Sequence, residues 1–453
     1  MRAGLIGLCL LVCWLPALCH SAEWRVGLAQ EIITPTEMVW LSGYGGRNKP
    51  AEGKVHDLWA KAVVFEDAHQ QQFILITCDL GSMYQELRDA VAKQAAKEFG
   101  IDPDVVLINI SHTHCAPEIA KERIVFHRLS DAEEAKLQKY IDTELQPTLV
   151  RMIGRALADR QLAVLTFSQS SAEFAKNRRF PMDGGFVNQP YAEGVTDHDV
   201  PVLQVKTPEG QLRGIFFGYA CHNTTLSFYQ FCGDYAGFAQ ELIQQRHPGI
   251  IAGFVMGCGG DQNPYPRHGE EGLKHCRQHG TDLADAVDRA LIGEAKVIHG
   301  PLKVARETVT LELEPLPPVA ELAVVAAQTD SYPQRKAAYL MRQLQEHGTI
   351  ELKQSCPLLA AKLGQELLFV AISGETVVDY SRFAKADFAG PAVWVAGYND
   401  DVFAYLPSQR VLLEGGYEGR SGIVHQLTPT PFLPSVEDRV RGGVKRLVEQ
   451  VSR

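Results

Sequence analysis

The chain has 453 residues, of which 45% are apolar and 22% charged, with a formal net charge of −10. That length suits one large α/β domain or two or three ordinary ones, and the apolar share is that of a globular chain with a sizeable core. The acidic balance and the lack of a long Lys/Arg run exclude a nucleic-acid-binding tail, so no nucleic-acid partner is expected.

Taken in chain order, the first element is a leader. Met1-Arg2 is a short basic start, Gly4 to Leu18 is almost wholly apolar, and Ser21-Ala22 precede polar Glu23. This predicts a signal peptide over residues 1–22 and an exported chain, secreted or periplasmic. The apolar run falls short of the ~20 residues of a spanning helix. A single domain is expected over 23–453. Phe73 to Leu80 and Val105 to Ile110 are short apolar runs that predict buried strands, with a helix over Tyr84 to Phe99 stopped by Gly100 between them. Gly214 to Ala220 predicts a strand, followed by a helix that Asp234 could cap and that ends near Pro248. Ile250 to Met256 is a strand and Thr281 to Ile292 a helix. Leu302 to Leu313 alternates like a half-exposed strand. Val319 to His347 is a helical pair interrupted near Pro333. Leu367 to Ile372 and Val393 to Tyr398 are the last clear strands. The fold class is α/β, with a mixed, layered sheet flanked by helices.

Three cysteines lie in or beside the leader. The other seven are Cys78, Cys115, Cys221, Cys232, Cys258, Cys276 and Cys356. An odd number without CxxC spacing is neither a disulfide scaffold nor a zinc finger, and leaves room for one or two disulfides in an oxidising compartment.

Polar residues follow four of the apolar strands directly. VVLINI runs into Ser111-His112-Thr113-His114, IFFGYA into Cys221-His222-Asn223, FVMGCGG into Asp261-Gln262-Asn263, and LLFVAIS into Gly374-Glu375. In open α/β sheets ligands gather at the carboxyl ends of strands. Two histidines and a carboxylate match a catalytic zinc that keeps one position open. Each motif alone has an ordinary reading. HxH often only caps a turn, a histidine after a strand is often a hydrogen-bonded core residue, and Gly-Glu before a helix favours the helix dipole. Recurrence at strand ends is what points to a metal site.

Over nearly all of its mature length the chain resembles the catalytic domain of the neutral/alkaline, non-lysosomal ceramidases. The residues that carry the resemblance include Val26-Gly27-Leu28-Ala29, Ile33-Thr34-Pro35, Val55-His56-Asp57-Leu58-Trp59, Ser111-His112-Thr113-His114-Cys115-Ala116-Pro117 and Asn177-Arg178. Further along come His222 with Gly233-Asp234, Gly374-Glu375, Tyr405 and Tyr417-Glu418-Gly419. The resemblance implies zinc held by His112, His222, Glu375 and Tyr405. It places His114 beside the metal, and Arg178 and Tyr417 as donors to a developing oxyanion. It implies amide hydrolysis of the ceramidase type, on a small-molecule or lipid amide that could be presented at a membrane surface.

Two departures stand out. Asn263 stands where the family carries a serine often assigned as nucleophile; an amide cannot form an acyl-enzyme but can hydrogen-bond an oxyanion. The family's C-terminal immunoglobulin-like domain has no counterpart in this sequence. Gln262, Asn263 and Arg267 near the presumed site suit an alternative, a polar N-acyl or ester substrate such as a sugar derivative. The replaced serine also suits a non-catalytic, zinc-containing binding protein.

Overall fold

The computed structural model describes residues 23–453 apart from 122 and 128, so the leader expected over 1–22 lies outside the described residues. The longest sheet follows the path Ile251–Met256, Leu212–Tyr219, Asp199–Lys206, Gln161–Ser171, Trp24–Ile32, Trp59–Glu66, Gln72–Cys78 and Val106–Ile110, with Lys296–Ile298 also on Gln161–Ser171. Its interior pairings are antiparallel and its two outermost pairs parallel. The sheet curls until its edges meet. Asn109 bridges them, its Oδ1 accepting from Met256 N at 2.8 Å and its Nδ2 donating to Met256 O at 3.3 Å.

A second, four-stranded sheet runs Leu302–Glu312, Lys353–Leu363, Leu367–Ile372, Ala392–Ala396. The two sheets pack face to face. Phe65, Phe73, Leu75 and Leu107 from the first meet Leu359, Phe369, Ala371 and Trp394 from the second. Alternate residues point away from that interface. Ile74, Ile76, Ile108 and Ile110 face helices Gln85–Phe99, Gln146–Ala158, Asp234–Arg246 and Gly272–Ile292. Leu358, Ala360, Leu368 and Val370 face helix Val436–Ser452. Burial on both faces explains why these strands read as continuous apolar runs rather than alternating ones. The layer order is helix, sheet, sheet, helix.

Most expected elements form where the pattern placed them, with four corrections. The helix expected from Thr281 begins at Gly272. The helical pair breaks before Pro333, which sits in the first turn of Tyr332–His347, where its missing N–H costs nothing. Asp234 does not cap its helix. It is that helix's first residue, at φ 53°, and its carboxylate accepts from Tyr235 N, the next residue of the helix, and from the main-chain N–H of Leu226 and Thr225. All seven described cysteines are free and buried, so no disulfide forms among the described residues.

Candidate metal centre

Five strand ends deliver the site. Val106–Ile110 leads to His112 and His114, Leu212–Tyr219 to His222, Ile251–Met256 to Asp261, Leu367–Ile372 to Glu375, and Ala392–Ala396 to Tyr398. The backbone turns sharply at the first of these. His112 has φ 58° and Gly374, just before Glu375, φ 83°. A left-handed non-glycine residue is costly, and such strain collects at functional sites. Glu375 and Tyr405 are adjacent because Glu375–Thr376 and Tyr405–Leu406 pair in parallel, in the register Glu375 to Tyr405.

Hydrogen bonds assign the imidazole tautomers. His112 Nδ1 lies 2.6 Å from Gly81 O and His222 Nδ1 2.7 Å from Gly259 O. A carbonyl only accepts, so both Nδ1 atoms carry protons, and each ring turns its Nε2 toward the centre. The approach to Gly81 is close: a Cβ there would fall 1.7 Å from Ser42 Oγ. Burial, and next the Arg178 charge, push His222 down to about 4, so it is neutral. Burial holds His114 well below the usual histidine range, with His112 and His222 adding to it.

Both Nε2 atoms face one carboxylate oxygen. Glu375 Oε2 lies 3.3 Å from His112 Nε2 and 3.3 Å from His222 Nε2, and His222 Nε2 also faces an Arg178 terminal nitrogen at 3.3 Å. Two imidazole nitrogens and a carboxylate oxygen converging in a buried space are a donor set for a cation. Zinc fits: ligands 2.0–2.1 Å from a tetrahedral metal stand about 3.3–3.4 Å apart, and the second-nitrogen bonds to carbonyls are the usual support of metal-bound histidine. His114 offers a further nitrogen, its Nε2 3.2 Å from His112 Nε2, and His112, His114 and His222 also form a three-histidine group able to hold a metal. Tyr405 completes the surround, its hydroxyl 3.5 Å from His222 Nε2.

Arg178 is the second anchor. Its Nε donates to Glu418 at 2.7 Å, one terminal nitrogen to Tyr405 at 3.0 Å, and the other to Asn263 Oδ1 at 3.1 Å. Glu418 also takes Arg179 at 2.7 Å. Burial raises the hydroxyl pKa of Tyr405 and Tyr417, so both are protonated donors. A cavity of about 230 Å³ opens over the centre, lined by His112, His114, His222, Glu375, Arg178, Tyr405 and Tyr417.

One candidate sits elsewhere. Asn263 is fully buried and does not line that cavity. Its Oδ1 takes Arg178 and its Nδ2 donates to Asn188 at 3.2 Å, so it positions Arg178 and is not aimed at a substrate. Asp261, two residues before it, accepts from Asn177 and from Val378 N. Residue-by-residue reading missed Glu418, Glu118 and Tyr398. Glu418 had a signal, since it follows Tyr417 directly. The Tyr398 ring lies 4.7 Å from that of His112 and ends a strand already read as such. Glu118 lines the cavity four residues beyond His114.

Residues 24–288 match the family model described as neutral/alkaline non-lysosomal ceramidase, N-terminal. The chain belongs to this family. Its fold is similar to the crystal structure of neutral ceramidase from Pseudomonas aeruginosa, with a TM-score of 0.71 and 18% identity over 95% of this chain and 74% of that one. A ceramidase complexed with C2 matches equally well, with a TM-score of 0.71 and 18% identity, covering 75% of its own length. No curated protein matches the chain. Family membership implies a hydrolase, and the fold likeness extends beyond the residues the family model spans.

Proposed function

We propose that the chain is a zinc-dependent amidohydrolase of the ceramidase type, cleaving an N-acyl amide with water as the attacking group. The observation that carries this reading is the convergence of two imidazole Nε2 atoms on the buried Oε2 of Glu375. His112, His222 and Glu375 would hold the zinc, with Tyr405 as a fourth donor. Zinc bound there supplies Lewis acidity toward the carbonyl and brings the pKa of water to ~7. The chain's own residues do the rest. Arg178, held by Glu418, and the Tyr417 hydroxyl donate to the carbonyl oxygen as negative charge develops on it. Neutral His114 takes a proton from the attacking water and returns it to the leaving nitrogen. No serine is set up as nucleophile. Ser42 and Ser82 line the cavity, but no described histidine is hydrogen-bonded to either. Hydrolysis therefore proceeds in one displacement without an acyl-enzyme.

The family's name favours ceramide as substrate. A polar N-acyl or ester substrate is favoured by the cavity wall, where Asn188, Thr224, Arg267, His268 and Gln426 outnumber the apolar Ala120, Phe126 and Val402. Export is part of the reading, with the mature chain beginning between about residues 20 and 24.

Elemental analysis of purified protein should give about one zinc per chain, with most of it lost in His112→Ala and in His222→Ala. Full zinc in both variants would sink the assignment. Comparing Glu375→Ala with His114→Ala identifies the third ligand by which variant loses zinc. Turnover of N-acyl lipids and N-acyl sugars should show no burst of first product. Full zinc with no hydrolysis on such a panel would favour the binding-protein reading.

A further inference from the structure

Two arginines line the cavity, and they differ in what neutralises them. Arg178 is bound by the Glu418 carboxylate. Arg267 has no carboxylate partner among the described residues. One terminal nitrogen reaches Thr224 Oγ1 at 3.3 Å, and its guanidinium lies over the Tyr265 ring at 5.4 Å. The cavity's two carboxylates are otherwise engaged. Glu118 accepts from Ala120 N and faces His127, and Glu375 faces the histidines.

The main chain on both sides of Arg267 is fastened down. Pro266 O accepts from His279 at 2.8 Å, and His268 N donates to Thr225 O at 2.8 Å. The His268 ring in turn meets the Tyr44 hydroxyl at 3.2 Å. Thr224 stands two residues after His222, so the guanidinium is tied to the segment that carries a metal ligand candidate. A half-buried, positioned arginine with free donors and no counter-charge is suited to take an anion, because its planar fork matches a carboxylate. A neutral two-chain lipid amide offers that fork no charged partner.

We infer that Arg267 is a specificity-determining residue and that the substrate carries a carboxylate or equivalent anion near its scissile amide, as in an N-acyl amino acid. This rests on the hydrolase reading above and names its substrate class.

The test uses the full, zinc-loaded chain and matched pairs of ligands. N-dodecanoylglycine and N-acetylglycine carry the carboxylate, N-dodecanoylethanolamine and N-acetylethanolamine do not, and a short-chain ceramide stands for the neutral lipid. The carboxylates should be hydrolysed with the higher kcat/KM. Arg267→Ala should lower kcat/KM for the carboxylates by roughly 10- to 100-fold, the scale of one hydrogen bond to a charged group, and lower it far less for the ethanolamides. Arg267→Lys should restore part of the loss. Faster hydrolysis of ceramide or the ethanolamides, or equal losses on both classes, would overturn the inference. Calorimetry separates the two levels of the argument. N-acetylglycine should bind the native chain more tightly than N-acetylethanolamine does, and Arg267→Ala should remove the difference. That result without hydrolysis of any amide would reject the hydrolase reading and keep the anion site. Equal binding of the acid and neutral analogues would reject the anion site whatever is hydrolysed.

Discussion

The lining of the cavity divides into a part that is tied down and a part that is left open. Around His112, His222 and Arg178, protein partners fix the groups. Each Nδ1 is spent on a main-chain carbonyl, and Arg178 is held by Glu418, Tyr405 and Asn263 together. Around Arg267 the backbone is fixed and the guanidinium, placed by one hydroxyl and one ring, keeps donors that no described residue takes. Groups that perform chemistry gain from being preorganised, because nothing then has to move as charge develops. Groups that recognise gain from donors that only a ligand can satisfy.

The largest effect expected from disturbing the tied part is at Glu418. Glu418→Ala would leave buried Arg178 without a carboxylate partner and Arg179 with Glu414 alone. Breaking a buried pair in this way costs roughly 3–5 kcal/mol. Urea unfolding should show that loss, with a smaller one for Glu418→Gln. An unfolding midpoint unmoved by the alanine variant would mean this wall is not held by its ion pairs. Next comes Asn263. As a residue behind Arg178 it should cost kcat only about tenfold on change to Ala, with zinc content and KM unaltered. A drop of roughly 10²–10³, the size seen on removing a direct oxyanion donor, would move Asn263 to the substrate and erase its positioning role. A third effect, read against pH, concerns Asp401, next to cavity-lining Val402 but outside both networks. Burial, and next the Glu86 charge, push its carboxyl up to about 7. The folded state therefore prefers the protonated form. The contribution is whole below the unfolded pKa of about 3.9 and is lost as pH rises through about 7. Thermal stability should fall across that window, and Asp401→Asn should flatten the fall. An unchanged profile in that variant would assign the slope to other groups.

The fold class and the strand ends were legible because the sheets are covered on both faces, which turns strands into apolar runs that stop where polar residues begin. His112, His222 and Glu375 could be picked out for that reason. Tyr405 could not, since a tyrosine after a loop looks like any packed aromatic, and it entered only through the family resemblance. The carbonyls of Gly81 and Gly259 have no signature in sequence, because a main-chain oxygen is the same in every residue. Asn263 was misread because matching a position to the family's serine gives its place along the chain but not the direction of its side chain. The strands Trp24–Ile32, Trp59–Glu66 and Gln161–Ser171 went unread, as charged and polar residues interrupt them. Arg25, Lys61 and Gln169 are examples.

The meeting of the first sheet's edges at Asn109 also bears on self-association. Ile251–Met256 and Val106–Ile110 are short, almost wholly buried apolar strands, and an open edge on either would be a template for pairing with a second chain. The main chain of Tyr398–Asp400 covers the edge of Val106–Ile110, Ile110 N donating to Tyr398 O and Asp400 N to Ile108 O, while the Asn109 side chain ties in Met256. During synthesis Val106–Ile110 emerges well over two hundred residues before Tyr398–Asp400, the segment that covers its edge. Until then that edge stands exposed, so the nascent chain is most prone to aggregate before the later segment arrives.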